Sequence, residues 1–512
     1  MGIKRNPEFK QMSFETAIRN PERYKEILKS VKIFEGVVLN QENLLIIVTH
    51  LYKCGIVKAK NHDFNSLSDK EAKNIVIEVN KTRNSDGGFP KGYPSRFWTY
   101  MRTLSELGFV YAVFNEKFEL SPIANALINN EIDEQTAFAN QATIYNRRSP
   151  YRNVSNDYNY FKFITKILIE RWAEGKGITY EQFILSLFNK DGSSENYLNE
   201  LNSFKAKDLE STYKYLKENY QITTKYGTVC TDYPDVVLRI LRITGFITIK
   251  FVGKVIIQIN EENIEKIKKL FEYDHKFNEE EKSNKRLYYE KYKIYASSQL
   301  LRTRQIEIGV SNRDYSIKLK KLISTYSLTK EIVTDLLDDI GNDKKIPIFK
   351  YIPEPIKLEF YISLILQISF GDKFNIIPNY KADSFGLPIS QAPGNKADIE
   401  VVNDDIYWNI EVTLIKNKFQ QLNNETSNII RHLEEKNQET YLTFVAPIIH
   451  QDTQTFFENQ LINFLIKKRK VYIAPYTIKE FVYLVSCKNI LENTKEYTND
   501  YLNRARDALL KQ

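Results

Sequence analysis

The stretch Gly394-Asn-Lys-Ala-Asp398-Ile-Glu-Val-Val402, the turn Asn403-Asp-Asp405 and the run Ile406-Tyr-Trp-Asn-Ile-Glu411-Val-Thr-Leu-Ile415 decide how the C-terminal part of this chain folds. Apolar and β-branched residues on both sides of an Asn-Asp-Asp turn read as two strands of a hairpin. A hairpin brings the start of its first strand beside the end of its second. Asp398 and Glu411 therefore converge at one edge of a sheet. A glutamate set in an apolar strand costs on the order of several kcal/mol unless it is paired or metal-bound.

Around this hairpin the order of elements is α/β. Residues 355–370 form one apolar helix, with Pro355 suited to its first turn. Downstream come a polar helix over 418–436, a strand over 440–446, a helix over 453–468, a strand over 471–474 and closing helices. This order predicts a mixed sheet with helices on its faces, spanning 346–512.

The N-terminal half reads differently. Arg96-Phe-Trp-Thr-Tyr-Met-Arg-Thr-Leu-Ser-Glu-Leu-Gly108 carries a helical apolar stripe that ends in glycine, and strand-like Phe109–Val113 and Phe118–Leu120 follow. The arrangement recurs in Tyr233–Gly245 followed by Phe246-Ile-Thr-Ile and Val255-Ile-Ile-Gln-Ile. Helix, glycine, then hairpin is the order of a winged helix. We therefore expect two winged-helix-like subdomains, 1–140 and 141–270, and a charged helical linker, 271–345. The expected class is α+β and multidomain.

Composition narrows the function. Across 512 residues the net charge is +8, and Tyr and Phe number 33 and 30, so a polyanionic partner and base-stacking surfaces are both compatible with the chain. Three scattered cysteines make neither a disulfide framework nor a zinc site. The five histidines lack HEXXH spacing, and no phosphate-binding lysine loop occurs. There is no secretory leader-like apolar stretch at the N-terminus and no run long enough to span a bilayer, which predicts a cytoplasmic protein.

Two converging carboxylates, Asp398 and Glu411, with the carbonyl of Val412, offer hard oxygen ligands to Mg²⁺. Phosphodiester hydrolysis needs such a site to offset charge developing on the phosphate. Glu425 on the following helix and Glu359 on the preceding one are placed to complete it. In Tyr145-Asn-Arg-Arg-Ser-Pro-Tyr-Arg152, Arg147, Arg148 and Arg152 alternate with aromatics as candidate DNA contacts; Arg96 and Arg102 are candidates on one helix, where Trp98 is expected in the core.

The pattern Asp398…Glu411-Val-Thr413 resembles the PD-(D/E)XK nuclease core in the variant carried by the AlwI family of type IIS restriction and nicking endonucleases, in which threonine replaces the usual lysine. Gln421-Leu-Asn-Asn-Glu425 followed by Arg431-His-Leu, and Pro353-Glu-Pro-Ile-Lys-Leu-Glu359, resemble that family's flanking helices. Phe97-Trp-Thr-Tyr-Met-Arg and Tyr145–Arg152 resemble its DNA-reading region. The resemblance implies catalytic roles for Asp398, Glu411, Thr413, Glu425 and Glu359. It implies Mg²⁺, with Mn²⁺ able to substitute, and cleavage of double-stranded DNA a few base pairs outside a short asymmetric site. One such site cuts one strand at a time, so a double-strand break implies a homodimer or a small nuclease subunit; a cognate methyltransferase is the expected cellular companion. Lys396 is a candidate substitute for the missing lysine. The alternatives are a non-catalytic winged-helix DNA-binding regulator and a nuclease acting on RNA or branched DNA.

Overall fold

In a computed structural model of the protein the described residues are 10–59, 62–64, 66–81, 92–305, 314–340, 346–391, 396–416, 421, 429–430, 433 and 438–510. They form two compact units, Met1–Ile308 and Gly309–Gln512. The stretch 271–345 is thus shared between the units rather than forming a connector of its own. Its longest helix, Lys285–Gln305, belongs to the first unit. There Tyr292 Oη donates to Gln141 O (2.7 Å), and Asn140 Nδ2 donates to Ala296 O (3.1 Å), tying the helix to Glu134–Ile144.

The first unit is mainly helical and contains the helix–glycine–hairpin order twice. Helix Tyr93–Glu106 leads through Gly108 to strands β1 (Val110–Tyr111) and β2 (Glu119–Leu120), which pair antiparallel. Helix Tyr233–Ile243 leads through Gly245 to β4 (Ile247–Phe251) and β5 (Val255–Ile259). An earlier short strand, β3 (Ile178–Thr179), joins β5 to give the sheet order β3-β5-β4. Gly108 has φ +67°, and a Cβ there would overlap the Tyr292 ring. Gly108→Ala is accordingly expected to destabilise the first unit by about 2–4 kcal/mol, combining backbone strain with overpacking, as read by urea denaturation.

The two helices differ in what they present. Tyr233–Ile243 is buried along almost its whole length, including Asp235 and Arg242, so it is a core helix. Tyr93–Glu106 buries Phe97, Trp98, Met101 and Leu104, leaving Arg96 and Thr99 half-buried and Arg102 exposed. Trp98 is in the core, as its apolar stripe predicts.

The second unit is built on a five-stranded mixed sheet in the order β12-β11-β10-β9-β6. Strands β9 (Ile399–Val402) and β10 (Ile406–Val412) form the expected antiparallel hairpin. Beyond it β11 (Glu439–Ala446) and β12 (Val471–Thr477) continue parallel to β10. On the other side β6 (Asn375–Pro378) pairs antiparallel with β9. Strands β7 (Lys381–Ala382) and β8 (Pro388–Ser390) form a separate small pair. Sequence periodicity did not indicate β6, β7 or β8.

Helices cover both faces of this sheet. Leu442, Phe444 and Ile473 pack with Phe457, Leu461 and Phe464 of helix Gln451–Ile466. The opposite face centres on fully buried Trp408, whose Nε1 donates to Thr443 Oγ1 (2.8 Å) and whose ring lies 6.2 Å from Phe370 and 6.4 Å from Phe481. Phe370 closes helix Glu354–Phe370, which has Pro353 as N-cap, Pro355 in its first turn and an almost wholly buried surface. Phe481 belongs to helix Ile478–Ser486, and Ile490–Leu510 is the last helix. Most of the expected 418–436 helix, with Glu425, Arg431 and His432, lies outside the described residues.

Candidate active site

Pairing in the hairpin runs from Tyr407 opposite Val402 to Ile410 opposite Ile399. One step further sets Glu411 opposite Asp398, and facing residues of an antiparallel pair share a face of the sheet. Asp398 is half-buried just before β9, and its Oδ2 accepts a hydrogen bond from the main-chain N–H of Val412 (2.8 Å). Glu411 is buried. The two acidic residues therefore meet at the edge of the sheet where the parallel strands β10 and β11 end.

Glu359 arrives from the helix Glu354–Phe370 and is also buried, with Oε2 lacking a protein partner. Burial pushes its carboxyl well above the usual range, and the charges of Asp398 and then Glu411 push it further in the same direction. A neighbourhood that disfavours a third negative charge is one in which a cation would be stabilised. Among the described residues no three His, Cys, Asp or Glu side chains are already gathered at metal-holding distances. The oxygen-only donor set and the unpartnered Glu359 oxygen nonetheless suit a hard dication such as Mg²⁺.

Thr413, two residues after Glu411, is buried. Its N–H donates to Val445 O (3.0 Å) and its Oγ1 accepts from Ile415 N–H (3.2 Å), so it holds the end of β10 against β11. Lys396 is exposed, two residues before Asp398. Gln421, within the motif read from sequence, is fully buried; its Nε2 donates to Ile448 O (2.9 Å) and its Oε1 accepts from Thr453 Oγ1 (2.9 Å).

The arginine-rich turn behaves differently from expectation. Arg147 is buried, donating to Asn189 O (2.8 Å), to Tyr158 Oη (2.9 Å) and to the carbonyl of Lys10. Arg152 is buried against Glu106 (2.6 Å) and also donates to Ser13 Oγ (3.2 Å). Burial opposes its charge, but Glu106 wins and holds the guanidinium above its ordinary pKa. Both arginines stitch the segment 10–14 into the first unit and are unavailable to DNA. Arg148 is half-buried and paired with Glu279 (2.6 Å). Arg102 is exposed and only loosely associated with Glu15 (3.9 Å) and Glu106 (3.8 Å). Arg96 has its Nε buried without a protein partner.

The family model of the AlwI restriction endonuclease matches residues 105–354 and 348–484, together well over half of the chain. The chain belongs to the AlwI restriction endonuclease family. As an AlwI family member it is a site-specific nuclease that binds DNA, and the carboxylate cluster lies within the second matched segment. Among curated proteins none matches it. Solved structures similar to it include the small subunit of the heterodimeric restriction endonuclease R.BspD6I, at 22% identity over 34% of this chain and 98% of that one, with a TM-score of 0.26. Another is the BpuJ1 endonuclease binding domain in complex with pyrene- and phenanthrene-modified DNA, at 12% identity over 58% of this chain and 99% of that one, with a TM-score of 0.33. TM-scores this low add nothing to the fold argument. Among the described residues no helix of this AlwI family chain is long and apolar enough to cross a membrane.

Proposed function

We propose that this AlwI family chain hydrolyses phosphodiester bonds of double-stranded DNA in a Mg²⁺-dependent, PD-(D/E)XK-type site formed by Asp398, Glu411 and the Val412 carbonyl. Mn²⁺ is able to substitute, and Glu359 completes the site among the described residues. The observation that carries this reading is the hairpin register that sets Asp398 opposite Glu411, with Val412 N–H fixing the Asp398 carboxylate and the charges of both acting on buried Glu359. An extended residue directs its N–H and C=O to the same side of its strand. Val412 thus turns its carbonyl toward the Asp398 side, where β9 has not yet begun.

A bound Mg²⁺ supplies charge neutralisation at the scissile phosphate and a lowered pKa for the attacking water. Asp398 and Glu411 contribute the anionic ligands. Glu359, once ionised, would be a third anionic ligand. Thr413 provides no ammonium group, so proton transfer from the nucleophile does not run through that position.

The first unit reads the sequence in this proposal, through winged-helix-like elements and with Arg96, Arg102 and Arg148 as the remaining arginine contacts. Cleavage falls a few base pairs outside a short asymmetric site, in the type IIS manner. A single carboxylate cluster per chain cuts one strand per engagement. A second copy or a small nuclease subunit supplies the other cut, and a cognate methyltransferase protects the host sites.

Supercoiled plasmid incubated with the protein tests this. Nicked circles are expected to accumulate with Mg²⁺ or Mn²⁺ and to be absent in EDTA, and run-off sequencing gives site, offset and strand together. Undiminished cleavage in EDTA overturns the metal dependence.

A further inference from the structure

We infer that Asn379 is the positioning residue that holds Asp398 at the cluster. The inference rests on the proposed carboxylate site and concerns how that site is kept in register. Asp398 precedes the first residue of β9, at the end of the paired stretch. On the β6 side the last paired residue, opposite Ile399, is Pro378. Main-chain groups alternate sides along an extended strand, so Pro378 turns its nitrogen away from β9 and the next bond across the pair falls to Asn379.

Asn379, next in the chain, makes that bond. Its main-chain N–H donates to Asp398 O (2.9 Å). Its side-chain Nδ2 donates both to Ala397 O (2.8 Å) and to Glu400 Oε1 (2.8 Å). Three hydrogen bonds thus bracket Asp398 on the residue before it, on itself and two residues after it. The amide orientation is forced, because the flipped rotamer would set Oδ1 against a carbonyl and a carboxylate.

Asn379 is buried, so these bonds are shielded from water. From the opposite side Val412 N–H grips the carboxylate itself (2.8 Å). Asp398 is clamped between β6 and β10. The following residue, Tyr380, packs against Phe360 (6.3 Å between ring centroids), next to Glu359 on the same helix.

Groups that orient a ligand without touching the metal typically change metal affinity or activity by about 10–100-fold when removed. In the full-length chain, Asn379→Leu keeps the side-chain size and removes both donors. It is expected to weaken Mn²⁺ binding in calorimetric titration, and plasmid turnover at saturating DNA, by about 10–100-fold, with DNA affinity in Ca²⁺ unchanged. A merely structural role would lower the melting temperature without moving the Mn²⁺ isotherm of the folded protein. Wild-type Mn²⁺ affinity and turnover in Asn379→Leu overturn the inference.

If Asn379→Leu fails to fold, Glu400→Ala decides. It alters a half-exposed side chain, releases one Nδ2 bond, and is expected to shift both readouts the same way by about threefold or more. Wild-type values there overturn the inference. Asp398→Asn run in parallel separates the two levels. If it too binds Mn²⁺ and cuts normally, the site reading falls; if it alone is impaired, the site stands and Asn379 has no positioning role.

Discussion

Asp398→Asn is expected to lower the cleavage rate by about a thousandfold or more, equivalent to about 4 kcal/mol of transition-state stabilisation, while DNA binding in Ca²⁺ is retained. The asparagine is the informative replacement because Oδ remains able to accept the Val412 N–H bond of 2.8 Å. Alanine would leave that N–H without its partner, at a cost of about 1–3 kcal/mol, and would confuse folding with chemistry. Removing the negative charge also relieves Glu359, whose carboxyl is raised partly by Asp398. The variant is therefore expected to melt no lower than wild type. Glu411→Gln should behave alike, since it too preserves volume and removes an anion. Plasmid cleavage in Mg²⁺ at equal protein concentration measures both, and a rate within a factor of about three of wild type in either variant would sink that residue's assignment.

Arg152→Met is expected to be the most damaging single change in the first unit. Arg152 and Glu106 are both buried, 2.6 Å apart, and the guanidinium lies over the Phe14 ring (5.7 Å). Breaking a buried pair by removing one partner typically costs about 3–5 kcal/mol, because the remaining charge is stranded. Arg102, at 3.8 Å from Glu106 but exposed, compensates only in part. The double change Arg152→Met with Glu106→Gln should recover much of the loss, since no unpaired charge then remains. Urea denaturation of the three proteins measures this. A DNA-contacting arginine would give the opposite pattern: normal stability, weaker DNA binding and a shallower salt dependence.

These two expectations mark where local sequence pattern is informative. The hairpin was legible because its alternation and its Asn403-Asp-Asp405 turn are properties of contiguous residues. Register then follows, and with it the meeting of Asp398 and Glu411. Helix Glu354–Phe370 was legible for similar reasons, from its apolar run and its first-turn proline. Strand β6 was not, because four residues ending in Pro378 carry no period; its extended form comes from pairing with β9. The role of Asn379 was hidden for the same reason, its partners lying at 397, 398 and 400.

The arginines show the limit most sharply. Tyr145–Arg152 has the composition of a basic recognition loop, yet the partners that draw Arg147 and Arg152 inward lie at residues 10, 13, 106 and 189. No window around the turn contains them. Conversely, the helix Tyr93–Glu106 gave a usable signal, because its apolar stripe fixes which positions face outward, and Arg102 is among those.

The Asn403–Asp405 turn has a practical use. It caps the end of β10 remote from Glu411, and a strand of this length puts it about 20 Å from the carboxylates. Asn403 Oδ1 accepts from the N–H groups of Asp405 and Ile406, so the bend keeps its shape without help from exposed Asp404. Asp404 is thus the natural handle for a fluorophore, introduced as a cysteine once exposed Cys54 and Cys487 are replaced; buried Cys230 can stay. A dye there would ride on a strand of the central sheet and, on the proposed function, would report duplex engagement without disturbing the carboxylates.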